Sequence, residues 1–248
     1  MRQIVFLLLL LFKVSCVCAQ YTFQGKVEFE RKVNIHRQID DMMEDDNKTW
    51  MEKVKAQMPK FNVSYFDYYF NTKKSLYKPG RESENPVKGM WGNSPASENI
   101  VFSDWGLGKV IASKQIFEEK FLVQDSLRKL DWKIKDEIRI ISGYKCRKAV
   151  SIICDSVYVV AFYTEDIAVS GGPEMFSGLP GMILEIAIPR LYSTWIALKV
   201  DIAAPKDEEL KIPEKGKKVS QKEMYDTVMG SVSKWGRFAH RSVWWSVL

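Results

Sequence analysis

The alternation of apolar and polar residues predicts that most of this chain forms β-strands. Between Tyr21 and Val33 one side carries Val27, Phe29 and Arg31, and the other carries Lys26, Glu28 and Glu30. A period of two is typical of a half-buried strand. The same criteria predict strands at 61–70, 75–77, 100–102, 109–114, 121–123, 132–141, 144–153, 157–164 and 192–201.

A glycine- and proline-rich stretch between Gly171 and Pro189 organises the second half of the chain. Its Leu-Pro-Gly-Met segment, residues 179–182, predicts a type II turn, because proline presets φ at the second position and glycine tolerates positive φ at the third. Residues 182–188 are apolar except for Glu185, which predicts a strand covered on both faces. The loop is therefore either a tight turn into a core strand or a rigid lip for a ligand or partner.

Two segments carry helical patterns. Residues 40–58 place Ile39, Met43, Trp50, Val54 and Met58 near one face, and Pro59 ends the segment. Its acidic cluster lacks the alternate spacing and central glycine of a calcium loop. A second helix begins at Ser220, which has a capping-box glutamate at Glu223, and Gly236 ends it. Its buried face is predicted to be Met224, Val228, Val232 and Trp235.

These elements predict a mainly β fold of the β-rich α+β class. We expect a strongly curved antiparallel sheet or partial barrel with one or two packed helices, because no helices alternate with the strands of residues 120–202. The predicted domain covers residues 20–203 with a helical insertion at about 38–58. Residues 204–248 are predicted to be a linker, a helix and an apolar tail packed on that domain.

The first 19 residues have the pattern of a secretory signal peptide. Arg2 supplies the positive end, and Ile4 to Phe12 is an apolar core that is too short to span a membrane. We expect cleavage after Ala19. Lipoprotein processing at Cys16 is the disfavoured alternative, because Lys13 stands where an apolar residue is needed. The mature chain contains no other candidate transmembrane segment, so we expect an exported protein that is soluble or peripheral.

Composition excludes some function classes. The net charge is +6, and removal of Arg2 and Lys13 with the leader leaves +4. This charge is scattered and no basic stripe interleaves with aromatic residues, so nucleic-acid binding is not expected. The mature cysteines, Cys146 and Cys154, lie on one extended segment about 26 Å apart, too far apart for a disulfide. Cys146 is expected to be a free buried thiol.

Known catalytic patterns are missing from the sequence. The histidines His36 and His240 have no neighbours at metal-ligand spacing, and the serine-hydrolase elbow, the phosphate loop and the third glycine of a dinucleotide fingerprint are missing. Lys145 and Arg147 alone do not make Cys146 a base-activated nucleophile. The sequence therefore predicts no catalytic residue, no metal site and no cofactor.

The stretch Gly178-Leu179-Pro180-Gly181-Met182-Ile183 resembles the GLPGLI family, exported proteins of one Gram-negative bacterial group. Gly143 to Ala149, with Cys146, is similar to the Gly-Tyr-x-Cys-x-Lys-Ala strand of that family. The resemblance implies secretion and a β-rich fold, and it supplies no catalytic residues. The motif positions, interpreted as structural, are Gly172, Pro173, Phe176, Gly178, Leu179, Pro180, Gly181, Met182, Ile183 and Cys146.

Three functions follow as hypotheses. The favoured one is a non-enzymatic binding or assembly module whose partner is an outer-membrane or periplasmic protein. The second is a hydrolase that acts on envelope peptide or glycan through carboxylates, which requires two acids facing each other across a cleft. The third is a carrier of an apolar ligand inside the curled sheet, which requires an interior that residues 38–58 or 220–248 do not fill.

Overall fold

The computed structural model describes residues 21–41, 43, 47–85, 95–235 and 238–248. The predicted leader and the predicted helix end at Gly236 lie outside these residues. The strands are β1 Gly25–Asn34, β2 Phe61–Phe70, β3 Lys74–Pro79, β4 Ile100–Asp104, β5 Lys109–Ile116, β6 Glu119–Ser126, β7 Lys133–Ile141, β8 Tyr144–Ile153, β9 Val157–Thr164, β10 Met182–Ile188, β11 Ser193–Asp201 and β12 Lys217–Val219.

The twelve strands of the described residues form one open sheet in the order β12-β6-β5-β4-β3-β2-β1-β11-β10-β9-β8-β7. The prediction of a mainly β fold is confirmed. One detail of it is wrong: the sheet is mixed, because β12 pairs with β6 in parallel through residues 217–219. The sequence placed these residues in a linker, since their polar side chains give no apolar alternation.

The sheet curves strongly near its β7 edge. Ser142, in the turn between β7 and β8, donates a hydrogen bond from Oγ to the carbonyl of Ala197 on β11 at 2.7 Å. Because β10, β9 and β8 separate β11 from β7 in the sheet, this contact requires the edge to curl back. The concave side holds the main core, in which Trp195 of β11 and Trp245 near the chain end lie 6.1 Å apart, centroid to centroid.

The apolar run after the Leu-Pro-Gly corner forms β10 as predicted, and every residue except Ala187 is buried. The corner itself is not the predicted type II turn. The N–H of Gly181 donates to the carbonyl of Leu179 at 2.8 Å, a tighter three-residue turn. The N–H of Met182 donates instead to Ile167, because the strand pairs with residues outside the turn.

The predicted helix at 40–58 is only partly correct. Helix α1 spans Ile35–Asp40 and is capped by Asn34, and helix α2 spans Lys48–Gln57. Residues 42 and 44–46 lie outside the described ranges. The predicted buried face is also wrong at Trp50, which is 51% exposed, whereas Met51 is buried. The Nε2 atom of His36 contacts the carbonyl of Met58 at 2.9 Å and so links the two ends of this segment.

Two helices follow β12. Helix α3 spans Gln221–Val232 and has the predicted capping box of Ser220 and Glu223, and helix α4 spans Phe238–Ser246. Met224, Val228 and Val232 are buried as predicted. Trp235 lies beyond the end of α3 and is 48% exposed, so its predicted burial is wrong.

Candidate functional site

The motif loop, residues 170–181, connects the end of β9 to β10 and holds most of the predicted motif positions. Gly178 and Pro180 are exposed, whereas the other motif positions are buried. Trp132 donates from Nε1 to the carbonyl of Ser177 at 2.8 Å and fastens the loop to the segment before β7. The loop is therefore packed into the body of the protein and does not project as a lip.

Two glycines of the motif are required by close packing. A Cβ atom on Gly172 would lie 2.8 Å from Cβ of Ile183, and one on Gly181 would lie 2.0 Å from the carbonyl oxygen of Thr164. Contacts below 3 Å would force the backbone to move, so neither position accepts a side chain. These contacts agree with a structural role for both residues.

Cys146, the remaining motif position, lies apart from the loop on β8. Its side chain is fully buried, and its Sγ donates to the carbonyl of Tyr144 at 3.5 Å. Burial raises the pKa of the Cys146 thiol to about 12, so the thiol stays protonated and is a poor nucleophile. Cys146 and Cys154 are both free, which confirms that they form no disulfide.

Glu174, which no sequence pattern marks, is the most unusual residue of the motif loop. Its side chain is only 3% exposed, and its backbone has φ of +55°, a left-handed conformation that is uncommon for a residue other than glycine. Asn99 donates from Nδ2 to Glu174 Oε2 at 2.8 Å, and Tyr77 donates from Oη to Oε1 at 3.3 Å. Trp195 in turn donates to Tyr77 Oη at 3.1 Å.

Two basic residues share this interior. Lys114 of β5 is 1% exposed and donates from Nζ to the carbonyl of Ser246 at 3.0 Å. Arg31 of β1 is fully buried, donates to the carbonyl of Pro95 at 2.8 Å, and lies 5.0 Å from the ring centre of Phe66. We refer to Arg31, Tyr77, Asn99, Lys114 and Glu174 as the buried charged cluster.

Burial controls the protonation of this cluster. It raises the pKa of the Glu174 carboxyl, although the charges of Lys114 and Arg31 act in the opposite direction. Burial lowers the pKa of Lys114 to about 7. It also raises the pKa of Tyr77 well above its ordinary value, with the charge of Glu174 as a further cause. Burial therefore shifts both Lys114 and Glu174 toward their uncharged forms.

The alternation of residues along β1 and β5 marks two members of the buried charged cluster. Arg31 falls on the same side of β1 as Val27 and Phe29, and Lys114 falls on the same side of β5 as Val110 and Ala112. All four apolar neighbours are buried. A basic residue that follows two apolar residues on the same side of a strand therefore indicates a buried charge. No such periodicity marks Asn99 or Glu174, because both lie outside strands.

A second site candidate is open to solvent. A cleft of about 500 Å³ lies between the segment after β6, the turn after β8, the start of α3 and the chain end. We refer to it as the surface cleft, and its lining residues are Asp125, Arg128, Lys129, Leu130, Ile152, Ile153, Cys154, Gln221, Lys222, Tyr225 and Val247. Its volume falls within the ordinary range of ligand pockets.

The surface cleft is lined by both apolar and basic side chains. Arg128 donates from Nη2 to the carbonyl of Val247, and Lys129 is exposed. Asp125 accepts hydrogen bonds from the backbone N–H groups of Gln221 at 3.0 Å and Ser126 at 2.7 Å, and these bonds lower its pKa. The carboxylate of the cleft is thus already engaged by the protein.

The acids with raised pKa values do not form a pair. Glu174 contacts Asn99 and Tyr77, whereas Glu185 accepts a hydrogen bond from Arg139 at 3.1 Å. Burial is the first cause of the raised pKa of Glu185. The two acids predicted for a hydrolase are therefore not found facing each other within the described ranges. Those ranges also contain no group of three or more metal-ligating side chains.

No helix in the described part of the chain combines the length and the apolar character needed to cross a bilayer.

Comparison with known families gives one partial match. Residues 152–185 match the model of a family described as "Protein of unknown function (Porph_ging)". The matched segment includes β9, the motif loop and the first half of β10. The sequence matches no curated protein.

Solved structures share the fold. PNGF-II in space group C2 superimposes with a TM-score of 0.52 at 17% identity, covering 90% of this chain and 33% of that one. PNGF-II in space group P21 gives a TM-score of 0.53 at 18% identity, covering 83% and 33%. The chain thus spans about a third of the length of PNGF-II. At this identity the likeness shows the fold alone.

Proposed function

We propose that this chain is an exported member of the GLPGLI family that acts as a non-enzymatic binding or assembly module of the cell envelope. The observation that carries the proposal is the surface cleft, a recess of about 500 Å³ lined by apolar and basic side chains. Apolar side chains with a few polar groups are the usual lining of a ligand site. The periplasm or the outer membrane is the proposed location, and an envelope protein is the proposed partner.

The placement of the reactive groups supports binding over catalysis on an external substrate. Glu174, Lys114 and Asn99 are at most 3% exposed, so a substrate in solution cannot reach them in this conformation. The concave interior is occupied by side chains of α3 and the chain end, including Met224, Trp245 and Leu248. This packing favours the surface cleft over the interior of the sheet as the place where a ligand binds.

The test is site-specific photo-crosslinking in the native host. A photoreactive residue at Leu130, in the surface cleft, is compared with one at Ile140, which is 70% exposed on β7. Ile140 pairs with Lys145 of β8. Lys145 is seven residues from Ile152 of the cleft along the same strand, a distance of roughly 23 Å at the rise of a strand. Leu130 is half-buried in the cleft, whereas Ile140 is exposed, so the control probe is at least as accessible to solvent as the cleft probe.

We expect a discrete adduct from the Leu130 probe in the envelope fraction and none of the same mass from the Ile140 probe. Fractionation should also find the protein outside the cytoplasm with an N-terminus at Gln20. Identical adducts from both positions would reject the cleft as the binding site. Retention of the uncleaved chain in the cytoplasm would reject export.

A further inference from the structure

Strand register brings Asn99 and Lys114 together on the buried side of the sheet. β4 and β5 pair with Ile100 opposite Ser113 and Val101 opposite Ala112. The same register, extended by one residue, places Asn99 opposite Lys114. Side chains at facing positions of an antiparallel pair have Cβ atoms about 4.5–5.5 Å apart. Asn99 is 2% exposed and Lys114 is 1% exposed, so both side chains point into the core.

Glu174 contacts the side-chain amide of Asn99. Its Oε2 atom is 2.8 Å from Nδ2 of Asn99. Turning the Asn99 amide by half a rotation places Oδ1 at that position, where a protonated carboxyl donates a hydrogen bond to it. A proton donor on the amide oxygen makes the carbonyl carbon more electrophilic.

The electrostatics of the site favour the reactive form of both groups. A lysine is a nucleophile only when its amine is neutral, and a carboxyl polarises a carbonyl only when it is protonated. Burial lowers the pKa of Lys114 to about 7 and raises the pKa of Glu174. Fixed geometry then replaces a collision in solution, which removes part of the entropic barrier to the reaction.

We propose that Lys114 and Asn99 join through an intramolecular isopeptide bond that forms within the folded protein, with Glu174 as the catalytic acid. Nζ of Lys114 attacks Cγ of Asn99, and the proton of Glu174 passes to Oδ1. In the tetrahedral adduct Glu174 takes a proton from Nζ and delivers it to Nδ2. The Cγ–Nδ2 bond then breaks, one ammonia leaves, and Glu174 recovers its proton when the carbonyl re-forms. No oxidant or reductant takes part.

The bond resolves an energetic problem of the buried charged cluster. A buried ammonium is costly unless it is fully paired, and the Lys114 side chain is only 1% exposed. The isopeptide bond replaces the amine with a neutral amide. Its remaining N–H can still donate to the carbonyl of Ser246, the contact that Lys114 makes at 3.0 Å. The cross-link would therefore fasten β4 to β5 beneath the end of α4.

Peptide mapping of the purified full chain tests the proposal. After tryptic digestion we expect a branched peptide that joins residues 89–109 to residues 110–120, lighter than the two parts by one ammonia, about 17 Da. Separate peptides cleaved after Lys114 at full mass would overturn the proposal. A deficit of one water, about 18 Da, between Lys114 and Glu174 would also overturn it, because that bond would be a different amide.

Variants separate chemistry from folding. Glu174→Gln keeps the size of the side chain but removes the acid, and Lys114→Met removes the nucleophile with little change in shape. Both should lose the branched peptide while their circular dichroism stays that of the parent. The matched control is Lys73→Met, at an exposed lysine in the turn after β2, which should retain the branched peptide. Retention of the branched peptide in a folded Glu174→Gln variant would reject Glu174 as the catalytic acid.

Discussion

The buried charged cluster and the surface cleft contain the same residue types in opposite surroundings. In the cluster, burial lowers the pKa of Lys114 to about 7. In the cleft, Lys222 is exposed and its pKa is raised by the hydrogen bond to Asp226. The comparison teaches that access to water, not residue type, decides which lysine remains a cation. The cluster is suited to chemistry within the fold, and the cleft is suited to recognition of a partner.

The largest expected effect is that of Glu174→Leu in the cluster. This change removes the buried hydrogen-bond partner of Asn99 and Tyr77, and each buried polar group left unsatisfied costs about 1–3 kcal/mol. Urea denaturation should show this loss in the free energy of unfolding. A loss below about 1 kcal/mol would mean that the cluster contributes as little as a surface ion pair.

The second prediction concerns the pH dependence of the Glu174→Gln variant, in which Lys114 keeps its free amine. Burial lowers the folded-state pKa of Lys114 to about 7 in the parent chain, and the variant lacks the Glu174 charge that opposes this shift, so its value should be no higher. The unfolded chain keeps a value near 10.5. Between these values the unfolded state binds more protons, so stability should rise with pH by up to about 1.4 kcal/mol per unit.

The wild-type protein is the control for that titration. Its Lys114 nitrogen is expected to be part of an amide and so cannot titrate. The free energy of unfolding of the wild-type protein should therefore not rise in this way between pH 7 and 10, as measured by denaturation at a series of pH values. The same rise in both proteins would show that Lys114 is free in each.

A smaller effect is expected for Asp125→Ala in the cleft. Asp125 accepts the backbone N–H of Gln221 at the start of α3 at 3.0 Å, and the loss of such a cap costs about 1 kcal/mol. Thermal denaturation should detect a modest decrease in the melting temperature. A decrease as large as that of Glu174→Leu would remove the distinction between the two regions.

The smallest effect on stability is expected for Lys129→Glu. Lys129 is an exposed lining residue of the surface cleft, and substitutions of this kind usually change stability by less than about 0.5 kcal/mol. The photo-crosslinked adduct from Leu130 should nevertheless be lost, because the charge of a lining residue is reversed. An unchanged adduct yield would exclude the charge of Lys129 from binding.

The fold class and most strands could be predicted because a period of two is a local signal. β10 was predicted within its observed limits, and α3 was found from its capping box. Helix α4 was missed because its packing against the core depends on distant partners, such as Trp195 for Trp245. Strand β12 was missed because it pairs with β6 through its backbone, which its polar side chains do not reveal.

The buried charged cluster could be predicted only in part. Arg31 and Lys114 lie on the same side of β1 and β5 as the buried apolar residues, and the alternation in the sequence shows this. Asn99 precedes a strand, and Glu174 lies in a loop with positive φ, so no periodicity marks either of them. Their meeting depends on contacts between residues 75 positions apart in the sequence. The surface cleft is assembled from four separate segments and has no local signal.

The most direct test is nuclear magnetic resonance of protein labelled with ¹⁵N at the lysine Nζ positions. The account predicts one Nζ that carries a single, slowly exchanging amide hydrogen, assigned to Lys114 by its loss in Lys114→Met. The contrary result is that every lysine Nζ behaves as a free amine, with no amide signal from any of them.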